Sequence, residues 1–136
     1  MSRRCAAAAA VVAAALLAGC GARPPDLFAV ERTGSGANAR LEMVVNDGGA
    51  VTCNGHEHPL DAPHLLRARE VARQLADQAQ LHLDLPAGSG SILSYRVSLE
   101  QGTVKFSDTS AHLPASFTAV EVLTKDIAED VCGIRR

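Results

Sequence analysis

Two histidines, His56 and His58, have the chemistry and the spacing of metal ligands. In an extended chain, residues two positions apart lie on the same side, so both imidazoles could ligate one ion. Cys53, His64 or His112 could provide a third ligand. However, the spacing matches no recognised metal-binding motif, and a structural zinc site requires four ligands. The sequence therefore predicts a solvated polar loop and no resident metal, with metal binding through His56, His58 and His64 as the alternative.

No arrangement of residues indicates an active site. A serine nucleophile needs a strained turn, an oxyanion hole and a base, whereas Ser35 and Ser89 lie in plain Gly-Ser-Gly segments. None of the 15 acidic residues has a sequence context that predicts a raised pKa. Gly34 and Gly36 lack the third glycine and the following helix of a dinucleotide site. We therefore predict no catalytic residue and no cofactor.

The composition argues against nucleic-acid binding. The chain of 136 residues carries 13 basic and 15 acidic side chains, so there is no basic surplus to neutralise phosphates. Aromatic residues make up only 3% and tryptophan is absent, which leaves too few rings for base stacking. This length allows one domain of ordinary size. We expect no nucleic-acid partner.

The first twenty residues have the features of a secretory signal. Arg3 and Arg4 precede an uncharged apolar run at residues 5–18, and small residues follow it. This run is too short for a membrane span, which needs about 20 residues. An ordinary signal peptide is one interpretation. The other depends on the sequence LAGC at residues 17–20, which resembles the lipobox of bacterial lipoproteins.

The lipobox resemblance implies a lipid anchor. Residues 1–19 would be removed, Cys20 would carry a diacylglycerol thioether, and its new amine could take an acyl chain such as palmitate. Each buried CH₂ contributes about 0.8 kcal/mol, so two or three chains hold a protein stably in a bilayer. The expected location is the extracytoplasmic face of the cell membrane. The mature chain would have a formal charge of −4, so electrostatic attraction to anionic lipid would not contribute.

Two cysteines, Cys53 and Cys132, remain after signal removal and lipidation. In an oxidising compartment outside the cell, these thiols are expected to form a disulfide. The bond would close a loop of about 80 residues, which corresponds to about 4.5 kcal/mol of chain entropy. Two separate buried thiols are the alternative.

Hydrophobic alternation and turn residues predict three strands in the first part of the domain. They are residues 27–33, 40–46 and 50–54, with a flexible connection at 34–38 and a tight turn at 47–49. On the first strand, Phe28, Val30 and Arg32 share one face. Residues 54–63 are predicted to form a polar loop.

The second part of the domain begins with the clearest helix. Asp61 is a good N-cap, and Pro63 is tolerated in the first turn. The residues that recur at helical spacing are Leu65, Ala68, Ala72, Leu75, Ala76 and Ala79. A hairpin of residues 94–100 and 103–107 follows. The segment at 117–124 fits either a helix or a strand, because it combines a helical apolar stripe with β-branched residues.

The predicted order is β-β-β-α-β-β-α, which indicates an α+β fold. We expect an antiparallel sheet of about five strands with the helices packed on one face. The predicted organisation is a signal peptide at 1–19, a lipidated tether at 20–26 and a single domain at 27–136.

Four segments of the domain carry a resemblance to a known family: FAVERTGSGANARLEMVV, LDAPHLLRAREVARQLADQA, SYRVSLEQGTVKFSD and HLPASFTAVEVL. Through these segments, the domain distantly resembles the emfourin family of bacterial protease inhibitors. A GGFAG-like turn of that family corresponds to GSGAN at residues 34–38. The resemblance implies an α+β fold and inhibition of thermolysin-like metalloproteases by protein–protein contact. A weaker likeness to subtilisin inhibitors lies in residues 51–59, without the helix cysteine that should pair with Cys53.

These observations lead to one expectation about function. We expect a non-enzymatic lipoprotein that binds another protein, with inhibition of a secreted protease as the form that the resemblance implies. The alternative is a small-ligand or metal-binding envelope lipoprotein that uses residues 56–58.

Overall fold

A six-stranded antiparallel sheet carries two helices on one face in the computed structural model, which describes residues 23–136. The predicted signal peptide, Cys20 and the start of the tether lie outside the described residues. The strands are β1 (Asp26–Gly34), β2 (Leu41–Asn46), β3 (Ala50–Cys53), β4 (His56–Pro59), β5 (Leu93–Leu99) and β6 (Gly102–Ser107). The helices are α1 (Ala62–Gln80) and α2 (Ala115–Asp126), and a π-helical turn (Ile127–Val131) continues α2.

The strand order is β4-β3-β2-β1-β5-β6, and every pairing is antiparallel. The predicted α+β fold with an antiparallel sheet and helices on one face is therefore confirmed. The sheet has one more strand than expected, because the predicted polar loop at 54–63 contains β4. Asn54 and Gly55 both have positive φ angles, which suit the two-residue turn that joins β3 to β4. The polar sequence of β4 hid it, because an exposed edge strand needs no apolar face.

The core lies between the sheet and the two helices. Phe28 and Val30 are almost fully buried, as the alternation in β1 predicts. The Phe106 ring stacks on Tyr95 at a centroid distance of 5.0 Å and on Phe117 at 4.8 Å. These stacked rings join the sheet to α2, so three of the few aromatic side chains are concentrated in one place.

Helix α1 begins as predicted. The Asp61 carboxylate accepts a hydrogen bond from the His64 backbone N–H at 2.9 Å, which caps the helix. Ala68, Leu75 and Ala79 are buried as expected. The prediction missed Val71, which is buried between them.

The segment at 117–124, which fitted either a helix or a strand, is helical. Helix α2 places Phe117, Val120 and Leu123 in the core. In the π-helical turn that follows, Ile127 continues the buried stripe. The choice between the two structures was therefore decided by apolar spacing rather than by β-branched content.

The two ends of the sheet differ in what covers them. At the N-terminal end, the Asn46 side-chain amide donates to the Pro24 carbonyl, and Arg69 of α1 hydrogen-bonds to Asp47 in the β2–β3 turn. At the opposite end, which we call the disulfide end, a disulfide joins Cys132, after α2, to Cys53 at the end of β3. Each helix therefore crosses the sheet near a different end, α1 near the N-terminal end and α2 near the disulfide end.

Candidate functional site

The predicted histidine ligands lie on two different elements, His56 and His58 on β4 and His64 on α1. His56 and His58 lie opposite Cys53 and Val51 in the β3–β4 ladder, so both are on the side of the sheet that faces the helices. Their predicted common face is confirmed, but on a strand instead of a loop. His64 lies in the first turn of α1, where its ring Nδ1 is 2.7 Å from the capping carboxylate. Among residues 23–136, no group of three or more His, Cys, Asp or Glu side chains could hold a metal ion.

The disulfide between Cys53 and Cys132 is present, with a Cα–Cα distance of 6.3 Å. The alternative of two separate thiols is therefore wrong. The bond joins β3 to the segment after α2, and Cys53 is almost fully buried. This cysteine is consequently not free to act as a metal ligand.

Two exposed apolar residues line a groove between α1 and α2, which we call the interhelical groove. The Leu66 side chain is 63% exposed on the α1 side, and Val122 is 46% exposed on the α2 side. The groove has a volume of about 590 Å³. It is lined by Leu66, Arg67, Glu70, Val71, Gln74, Ala115, Thr118, Ala119 and Val122.

The charged residues at the rim of the interhelical groove are already paired. Arg67 donates to Asp126 at 2.9 Å. Glu70 accepts from Arg73 at 2.6 Å and from the Gln74 amide at 2.7 Å. The Arg73 hydrogen bond lowers the pKa of Glu70, which keeps this carboxylate ionised. Because the rim charges compensate one another, the groove is suited to uncharged apolar side chains.

Leu66 could have been found in the sequence, since it is a leucine out of phase with the buried stripe of α1. Val122 has the same property on α2. Neither position revealed that the two would be neighbours, because that depends on how the helices are placed on the sheet.

A second feature, at the disulfide end, was not predicted. Arg32 is only 2% exposed. Its Nε donates to the Ala39 carbonyl at 3.0 Å and its Nη2 to the Asn38 carbonyl at 2.9 Å. Burial lowers the pKa of Arg32, because the charged form loses hydration. The sequence contained one indication of this burial, since Arg32 is in phase with Phe28 and Val30 on β1.

Next to Arg32, a cleft separates β5 from α2, and we call it the β5–α2 cleft. It has a volume of about 280 Å³ and is lined by Leu93, Tyr95, Glu121, Val122, Lys125, Glu129 and Arg136. Burial raises the pKa of Tyr95 to about 12, and the nearby Glu121 carboxylate adds to this shift. Burial also raises the pKa of Glu121, with a further contribution from Asp108. The expectation that no acidic residue has a raised pKa is therefore wrong, because α2 packs Glu121 against the end of the sheet.

Comparison of the chain with protein families, curated proteins and solved structures gives no match. The lipobox and emfourin resemblances therefore stay predictions. Neither of the two described helices is both long and apolar enough to cross a membrane. The candidate functional sites are the interhelical groove and the β5–α2 cleft.

Proposed function

We propose that this protein is a lipid-anchored, extracytoplasmic binding module. Its interhelical groove binds an uncharged apolar segment of a partner protein. Amphipathic helices are the usual occupants of such grooves, because their apolar side chains recur at helical spacing.

The position of the exposed apolar residues carries this proposal. In the described part of the chain, the large hydrophobic residues that are exposed are Leu66, Leu81, Ile92 and Val122. Two of the four line the same groove. Full burial of a leucine or valine side chain contributes about 1.5–3 kcal/mol. The paired rim charges mean that a bound apolar segment would not leave an uncompensated charge away from water.

Substitutions at the groove test the docking surface. A photo-crosslinking residue replaces Thr118 in the full-length protein, which is kept in membranes. The adducts that it forms are compared with those of the same protein that also carries Leu66→Asp. We expect the aspartate to abolish the adduct, because it places an unpaired charge in the apolar contact. Leu81→Asp is the matched control, since Leu81 is 77% exposed and does not line the groove. Loss of the adduct in both variants, or in neither, would contradict the proposed surface.

The lipid anchor is supported by the LAGC sequence at residues 17–20. We expect Cys20→Ala to release the protein from the membrane fraction. Cys5→Ala is the matched control, because Cys5 lies within the apolar run. Retention of the Cys20→Ala protein in membranes would rule out thioether anchoring.

The emfourin resemblance leads us to propose a secreted thermolysin-like protease as the partner. Titration of the protein against such a protease should give stoichiometric inhibition that Leu66→Asp removes. An absence of inhibition at micromolar concentrations would exclude this partner. The test of the groove would stand independently, because crosslinking does not depend on the partner's identity.

A further inference from the structure

The cations without an ion-pair partner are concentrated at the disulfide end. Most arginines and lysines of the described chain form ion pairs: Arg40, Arg67, Arg69, Arg73, Arg96 and Lys105. Within residues 23–136, five others form none: Arg23, Arg32, Lys125, Arg135 and Arg136. Two of these five, Lys125 and Arg136, line the β5–α2 cleft. Arg32 lies close enough to Tyr95, Glu129 and Arg136 to interact with all three.

Arg32 is the most unusual of these cations because it is buried. Two of its N–H groups donate to the carbonyls of residues 38 and 39, but neutral carbonyls do not cancel its charge. Buried charges are normally paired, since an ion loses its hydration when it is removed from water. Among the described residues, Glu129 is close enough to interact with Arg32 but forms no ion pair with it. An anion in the neighbouring cleft would supply a direct counter-charge.

The cleft combines this positive charge with an apolar wall. Leu93 and Val122 form the wall, and Lys125 and Arg136 provide the cations. At about 280 Å³, the volume is just below the usual range for small-molecule pockets, which starts at about 300 Å³. A ligand that fits would therefore be small or would be the end of a longer chain.

Two acidic residues, Glu121 and Glu129, also line the cleft. Their charges oppose an anion and equal in number those of Lys125 and Arg136, so the surplus positive charge comes from the buried Arg32 beside the cleft. Burial raises the pKa of Glu121, so the opposition of this carboxylate to a bound anion decreases as the pH falls.

We propose that the β5–α2 cleft binds a carboxylate carried on a short apolar group. The carboxylate lies among Arg136, Lys125 and the Tyr95 hydroxyl, and the apolar group lies against Leu93 and Val122. A free short-chain acid and the C-terminal residue of a peptide both have this chemistry.

Binding of defined probes tests the proposal and separates the two sources. Full-length protein in detergent is titrated with hexanoate and with hexanamide, followed by calorimetry and amide NMR spectra. We expect saturable binding of hexanoate only. N-acetyl-alanyl-leucine and its C-terminal amide form the second pair, and tighter binding of the free peptide than of hexanoate would assign the site to a peptide C terminus. Absence of binding by both carboxylates below about 10 mM, or equal binding of the amides, would overturn the proposal.

Substitutions with opposite expected effects distinguish this role from a structural one. The substitutions are tested with whichever of the two carboxylates binds more tightly. Arg136→Gln should reduce its affinity about tenfold, because a charge-assisted hydrogen bond is lost. Glu121→Gln should increase this affinity, because an opposing carboxylate becomes a neutral amide. Arg96→Gln is the matched control, since this cation pairs with Glu31 on the open face of the sheet. The assignment would be refuted if Arg136→Gln and Glu121→Gln changed the affinity for the carboxylate in the same direction. It would also be refuted if Arg96→Gln reduced this affinity as much as Arg136→Gln does.

The two proposals can be tested separately, although Val122 lines both the interhelical groove and the β5–α2 cleft. Leu66 lines the interhelical groove and not the β5–α2 cleft. The variant Leu66→Asp should therefore lose the partner adduct and keep hexanoate binding, whereas Arg136→Gln should do the reverse.

Discussion

Reduction of the Cys53–Cys132 disulfide should lower the melting temperature by about 15–20 °C. The two cysteines are 79 residues apart in the sequence, so the bond removes the entropy of a long loop from the unfolded chain. The chain-entropy relation gives about 4.5 kcal/mol for a loop of this length. An unfolding entropy of about 2.1 cal/mol/K per residue gives about 240 cal/mol/K for residues 23–136. Division of the first quantity by the second gives a shift of about 19 °C.

The assay is thermal unfolding followed by circular dichroism, with and without a phosphine reductant. The double variant Cys53→Ala/Cys132→Ala should melt at the temperature of the reduced wild type and should not respond to the reductant. Thiol titration under denaturing conditions confirms that the bond is open. A melting temperature that changes by only a few degrees after complete reduction would refute the reasoning, because it would mean that the unfolded chain is not restricted by the bond.

Three further outcomes are expected. Tyr95 is the only tyrosine and tryptophan is absent, so phenolate absorbance should report its pKa of about 12 in the folded protein against 10.0 when unfolded. Because the folded-state pKa is raised, the contribution of Tyr95 to stability is complete below pH 10 and is lost as the pH rises towards 12. A folded-state pKa near 10 would contradict the burial of Tyr95. Phe117→Ala should reduce the free energy of unfolding in urea by about 3–5 kcal/mol, since the ring is fully buried against Phe106; a loss below about 1 kcal/mol would indicate that this stack is not part of the core. Gly102→Ala should also destabilise the fold in urea, because its φ is +150° and a Cβ would lie 2.2 Å from the Ala79 carbonyl oxygen; unchanged stability would disprove this close approach.

The parts of the fold that could be predicted are those in which burial alternates along the chain. β1 and β2 have one buried and one exposed face, so their apolar residues recur at every second position. Helix α1 has an N-cap and a buried stripe. β4 has no such pattern, because it is a short polar strand at the edge of the sheet, and only the turn at Asn54-Gly55 indicated it.

The candidate sites were less accessible from the sequence. The interhelical groove depends on the distance between two helices, which no local pattern encodes. The β5–α2 cleft combines residues from β5, α2, the π-helical turn and the C-terminal segment. The alternation in β1 placed Arg32 on the same face as Phe28 and Val30, but its lack of an ion pair depends on every neighbouring element. Tertiary charge balance of this kind cannot be read from spacing alone.

The separation of the two sheet ends has a consequence for how a partner would approach. Five residues lie between Cys20 and Asp26, so these two positions can be at most about 20 Å apart. With the proposed acyl chains embedded, α1 would therefore sit nearer the headgroups than α2. The β5–α2 cleft, at the disulfide end, would lie on the side of the domain away from the bilayer and would be accessible to diffusing solutes. The groove would open sideways, so that its occupant would meet the protein by moving along the membrane surface rather than by descending onto it.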